Sequence, residues 1–148
     1  MARRNAFKGI VNDVASSFVS RKNDVGGYWG IGMLHSLARD NSTSKVRIDL
    51  SEASCAALPV FASLIRRYRS MIEGQAAAKD LRFQASSIEI EFDLPRDRSG
   101  ADFCMGDETP FRCSLTIVDD RGKAWSHIIS GCSRPHDPAL ESRSSRVS

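Results

Sequence analysis

From Ser87 to Leu94 the chain alternates without interruption: Ile88, Ile90, Phe92 and Leu94 fall on one side, Glu89, Glu91 and Asp93 on the other. Successive side chains of a strand point to opposite faces, so a strict period of two demands one face against a core and one face in water. A strand covered on both faces reads as a continuous apolar run instead. The segment therefore limits the fold to a sheet with helices on one face only. Lys45 to Leu50 repeats the pattern, with Val46, Ile48 and Leu50 set against Lys45, Arg47 and Asp49.

Phe111 to Val118 and Ala124 to Ser130 flank the sequence Asp119-Asp120-Arg121-Gly122 and read as a hairpin. Placing Gly122 at a left-handed turn position sets Val118 opposite Ala124 and Leu115 opposite His127. One hairpin face then carries Phe111, Cys113, Leu115, Ile117, Trp125, His127 and Ile129.

Helical spacing appears in three places. Phe7, Ile10, Val11, Val14 and Phe18 predict a helix over residues 5–21, with Asn5 as its N-cap. Residues 52–73 predict a longer one, with Leu58, Phe61, Leu64, Ile65, Tyr68, Met71 and Ile72 on a wide apolar arc. Ser51 is its candidate N-cap and Gly74 its candidate stop, while Pro59 either kinks it or delays its regular part to about Leu58.

Between these lies a segment where Gly26, Gly27, Gly30 and Gly32 surround Tyr28 and Trp29, running into a short helix over Ile31 to Arg39. Ile31, Met33, Leu34 and Leu37 spread around that helix, so it is enclosed by its own fold or by a partner. The glycines lack the G-x-G-x-x-G or G-K-[ST] spacing of a phosphate loop and follow a helix instead of a strand. A close-packing joint is the reading this spacing favours, with Tyr28 and Trp29 as the alternative core of a partner surface.

The predicted fold is a two-layer α+β domain in the order α-α-β-α-β-β-β, its four-stranded mixed sheet covered by helices on one face. A right-handed crossover through the long helix makes the first two strands parallel, if they are neighbours. Lys45 and Arg47 then lie beside Glu89 and Glu91 on the wet face. One domain is expected over 1–132, followed by a disordered tail over 133–148, rich in Ser, Arg and Pro.

At 148 residues the chain can bury a core without disulfide staples. Its net charge of +3 is too small to imply a polyanion partner, but its distribution is uneven. Residues 86–120 hold nine acids and three arginines, a balance of −6, which leaves +9 for the remainder. Such asymmetry suits a second copy or another charged partner. Cys55, Cys104, Cys113 and Cys132 have no C-x-x-C spacing and are expected as reduced thiols of a cytoplasmic protein, with no membrane span.

Chemical motifs are sparse. His127, Cys132 and His136, with Cys104 and Cys113, offer zinc-ligand types, but His-x4-Cys-x3-His matches no standard site, and no metal or cofactor is assigned. Asp97, Asp102, Asp107 and Glu108 sit in a long loop over 95–110 without calcium-loop spacing. No Ser, His and Asp arrangement marks a nucleophile, and the catalytic residues, if any, are not legible. Arg66, Arg67 and Arg69 with Tyr68 form a basic stretch, though Tyr68 falls on the apolar arc.

The expectation is a self-associating interaction module, a homodimer without chemistry of its own. Its candidate partner-binding residues are Tyr28, Trp29, Met33, Arg66 and Arg67. Nucleic-acid binding through the basic helices is the first alternative. The second is an enzyme or ligand-binding domain with its site between the 95–110 loop and the hairpin.

Overall fold

A computed structural model describes residues 2–21, 29–93 and 109–133. The elements are α1 (Ala2–Ser20), α2 (Trp29–Asp40), β1 (Lys45–Asp49), α3 (Glu52–Ala57), α4 (Ala62–Ala78), β2 (Phe83–Phe92), β3 (Thr109–Asp119) and β4 (Ala124–Ser133). They form the expected two-layer α+β arrangement, with helices over one face of a four-stranded sheet.

The sheet runs β1-β2-β3-β4, and every neighbouring pair is antiparallel. The mixed sheet expected from the sequence is thus corrected, and the cause lies at Pro59. Residues 52–73 do not make one crossover helix. α3 ends at Ala57, Pro59–Phe61 make a 3₁₀ turn, and α4 starts afresh at Ala62. Proline has no N–H to donate and clashes with the preceding helical turn, so the helix breaks there. Glu52, at the start of α3, reaches Arg66 (3.3 Å) and Arg69 (3.8 Å) of α4, so the two helices fold back on each other. A helical hairpin returns the chain to the end of the sheet it left, which makes β2 antiparallel to β1.

Ser51 caps α3 as expected, its hydroxyl accepting from the Ser54 N–H at 3.2 Å. Two other terminal assignments shift. α1 begins at Ala2, which places Asn5 inside the helix. α4 runs through Gly74 to Ala78. It ends in a Schellman motif: Asp80 takes φ 55°, the Asp80 N–H donates to Ala77 O (3.1 Å), and the Leu81 N–H to Ala76 O (2.8 Å).

The hairpin register is as the sequence predicts, with Val118 opposite Ala124, Leu115 opposite His127, and Gly122 at φ 84°. Its turn is tied by Asp119, only 2% exposed. Asp119 Oδ1 accepts from the N–H groups of Arg121 and Lys123, both at 2.9 Å, and Oδ2 accepts from Trp125 Nε1 at 3.0 Å. A buried carboxylate is tolerated because N–H donors replace the water it lost.

The core lies between the sheet and α1, α2 and α4. Phe7 stacks on Trp125 at 5.8 Å, and Phe18 meets Tyr68 edge-on at 5.1 Å. Ile88, Ile90 and Phe92 of β2 and Phe111, Cys113, Leu115 and Ile117 of β3 face the helices. On the wet face Lys45 pairs diagonally with Glu89 at 3.2 Å, while Arg47 turns to Asp49 at 3.3 Å.

β4 extends to Ser133, one residue past the expected domain boundary, and β3 takes up Thr109 and Pro110 from the end of the expected loop. Leu94, the rest of that loop with its acids Asp97, Asp102, Asp107 and Glu108, and the tail from residue 134 lie outside the described residues. No helix among the described residues is long and apolar enough to cross a membrane.

Candidate self-association edge

A four-stranded open sheet has two edges, and here they differ in chemistry. β1 is short, five residues, and alternates charge with Val46 and Ile48. β4 is ten residues long and contains no Asp, Glu, Lys, Arg or Pro. It pairs with β3 on one side, and among the described residues no strand pairs with the other.

The ladder alternation decides which β4 backbone groups face outward. The Asp119 N–H donates to Lys123 O at 2.9 Å, so this pair is hydrogen-bonded, and so is every second pair after it, beginning with Ile117 and Trp125. Ala124, Ser126, Ile128, Ser130 and Cys132 therefore turn their N–H and C=O groups away from β3, toward the outer edge of the sheet. Their side chains lie on the wet face. Among them Ile128 is 57% exposed; with Val60 it is a large apolar side chain left in solvent among the described residues.

The residues predicted to bind a partner differ in their surroundings. Tyr28, with Gly26 and Gly27, lies outside the described residues. Trp29 is half-buried, with Arg21 Cζ 4.7 Å above its ring and Tyr68 at 6.4 Å. Met33 is 7% exposed, enclosed with Ile31 and Leu34 in this chain's own core, so it presents no surface to a partner. The apolar-all-round α2 is thus explained by intramolecular packing. Gly30 shows how close that packing is: a Cβ there would stand 2.5 Å from the Phe18 ring. A close contact thus stands at Gly30, one end of the expected joint, while Gly26 at its other end lies outside the described residues.

Arg66 and Arg67 are exposed on α4, but Arg66 is hydrogen-bonded to Glu52 at 3.3 Å, which raises its guanidinium above its ordinary pKa. Arg69 shares that carboxylate and also reaches Glu73 at 3.5 Å. Acidic partners of this kind interrupt the basic stretch. Tyr68 is fully buried, as its place on the apolar arc predicts, and desolvation pushes its phenol above the usual value.

The cysteines are not uniform. Cys132 is disulfide-bonded, which corrects the expectation of four reduced thiols and removes it as a thiolate ligand. Cys55 and Cys113 are free and buried, and burial pushes the Cys113 thiol up to about 12. His127 is half-buried on the helix-covered face, and Cys104 and His136 lie outside the described residues. No group of three or more His, Cys, Asp or Glu is arranged to hold a metal among the described residues.

One contact was not legible in the sequence. His35 Nδ1 lies 3.3 Å from Ser133 Oγ, and the imidazole stacks on Phe92 at 4.5 Å. Ser133 is 1% exposed, so the pair is sealed from any substrate and ties α2 to the end of β4. Beside it the Phe111 ring covers Gly131, its register partner, where a Cβ would stand 2.8 Å from Phe111 Cζ.

A groove of about 690 Å³ lies at the opposite edge of the sheet, between α4 and the corner where β1 ends and β2 begins. Comparison with protein-family models, with curated proteins and with solved structures finds no match.

Proposed function

We propose that the protein is a self-associating interaction module that pairs two copies through the outer edges of their β4 strands. The supporting observation is the ten-residue edge without charge or proline, carrying the exposed Ile128 at its middle. Proteins that must stay monomeric blunt such edges with lysine, proline, bulges or shortness, because unpaired strand groups template pairing with another chain. β1 has the shortness and the charge; β4 has neither.

Antiparallel pairing about a two-fold axis with full overlap puts Ile128 opposite Ile128 of the second copy, and Ser126 opposite Ser130. Each outward residue then exchanges an N–H and a C=O with its counterpart. Every such bond contributes a net of about 0.5–1.5 kcal/mol. The two isoleucines remove each other from water. An edge contact buries less than a standard interface of roughly 1,600 Å², so affinity in the micromolar range is expected.

Sedimentation velocity across the micromolar range tests the reading. The wild type should shift from monomer to dimer with concentration. Ile128→Lys places two ammonium groups face to face on the axis and should stay monomeric at least tenfold higher in concentration, with unchanged far-UV circular dichroism. A wild type that remains a strict monomer would end the proposal.

A further inference from the structure

Ser86 occupies a core-facing position of β2, in phase with Ile88, Ile90 and Phe92. Its side chain is only 5% exposed, and its Oγ has no hydrogen-bond partner among the described residues. An unsatisfied buried hydroxyl costs about 1–3 kcal/mol, and an apolar residue would serve the core there without that cost. Ser86 is among the residues that line the groove at the β1–β2 corner, with its Oγ covered, so a molecule entering the groove can supply the missing partner once the hydroxyl rotates toward it.

The groove has the size and the chemistry of a ligand site. Its volume of about 690 Å³ falls within the roughly 300–1,000 Å³ that small-molecule sites use. Leu50, Ala76, Ala77, Leu81 and Phe83 supply apolar wall. Three arginines, Arg47, Arg69 and Arg82, stand against two acids, Asp49 and Glu73, so the lining is net cationic. Arg47 and Arg69 hold exposed ion pairs at 3.3–3.8 Å, of a kind worth about 0–1 kcal/mol and readily exchanged. Arg82 is exposed and has no ion pair among the described residues, which leaves its planar fork for an incoming carboxylate.

We propose that this groove binds a small organic carboxylate with an apolar body, its carboxylate on Arg82 and a polar atom on the Ser86 hydroxyl. The apolar wall favours the body, the arginines exclude cations of the same shape, and Ser86 gives directional preference. The groove and β4 lie at opposite edges of the sheet, so pairing of two β4 strands leaves it open. Ligand binding in the groove and dimerisation through β4 are therefore independent of each other.

Two-dimensional NMR titration of the full chain tests it, with octanoate and benzoate as probes and octylamine and inorganic phosphate as controls. Saturable shifts at Ser86, Ala76 and Leu81 are expected with at least one carboxylate probe, and not with octylamine or phosphate. Arg82→Gln should weaken that binding about tenfold or more. Ser86→Ala should also weaken it several-fold, while leaving the free protein's melting temperature equal or higher, because an orphaned hydroxyl is gone. Three results would each overturn the proposal: no saturable shift with either carboxylate, equal binding of octylamine, or binding indifferent to Arg82→Gln.

Discussion

β1 and β4 are the two edges of one sheet, yet they solve the edge problem in opposite ways. β1 offers the five residues Lys45–Asp49, and those whose backbone groups point outward, Lys45, Arg47 and Asp49, all carry charge. A second chain adding there would have to desolvate them. β4 offers twice the length, and its outward residues are Ala124, Ser126, Ile128, Ser130 and Cys132, none of them charged. Pairing capacity is set by what the outward residues cost to cover, since the backbone groups are the same on both edges.

The largest expected effect comes from removing what holds β4 in place. Asp119→Ala leaves the Arg121 and Lys123 N–H groups and Trp125 Nε1 without their acceptor and should cost about 3–5 kcal/mol in urea unfolding. Asp119→Asn, which keeps an acceptor oxygen, should lose less. Gly131→Ala comes next. The added methyl must displace the buried Phe111 ring, an overpacking cost of about 1–3 kcal/mol, and it should loosen the Cys132 end of the edge before the hairpin turn.

A pH experiment probes the inner side of the same hairpin. Cys113 faces the helices beside Ile129 of β4, and the fold holds its thiol neutral, with its pKa pushed up to about 12. An unfolded cysteine ionises near 8.5, so the unfolded state sheds its proton first. The stabilising contribution is complete below about pH 8.5 and is lost as pH rises toward about 12, by about 1.4 kcal/mol per pH unit. Cys113→Val should flatten that alkaline decline in thermal unfolding. If the decline were as steep in the variant, this thiol would not be its source.

The smallest change in monomer stability should come from opening the other edge. Lys45→Val with Arg47→Val removes two exposed ion pairs, for a loss under about 1 kcal/mol. It also makes β1 resemble β4. Light scattering should then show species larger than a dimer, since each copy would carry two pairable edges. A variant that associates no further than the wild type would mean that charge is not what closes β1.

How much of this was legible in the sequence follows from how local each determinant is. The β2 alternation and the hairpin register depend on neighbours a few residues apart, and Gly122 fixes the turn, so both could be read directly. The direction of β1 against β2 depended on whether Pro59 bends a helix or folds it into a hairpin, and spacing cannot separate those. Gly74 marked no helix end because a Schellman motif at Asp80 satisfies the last carbonyls instead. α2 showed an apolar circumference, but not whether Phe18 or a second copy covers it. The two candidate surfaces were the least visible. Ser86 looks like an ordinary polar residue until β2 is seen to begin at Phe83, which puts it in phase with Ile88. The β4 edge became visible only once the strand order placed β4 at one end of the sheet formed by the described residues.

The most direct measurement is a cross-link at the proposed two-fold axis. Ile128→Cys and Ser126→Cys are prepared separately, and each is oxidised at micromolar concentration. In the hydrogen-bonded pair at the axis the two Cα atoms stand about 5.5 Å apart, within disulfide reach, whereas Ser126 faces Ser130 of the second copy. A covalent dimer is expected from Ile128→Cys and little from Ser126→Cys. No cross-link at 128, or equal cross-linking at both positions, would contradict it.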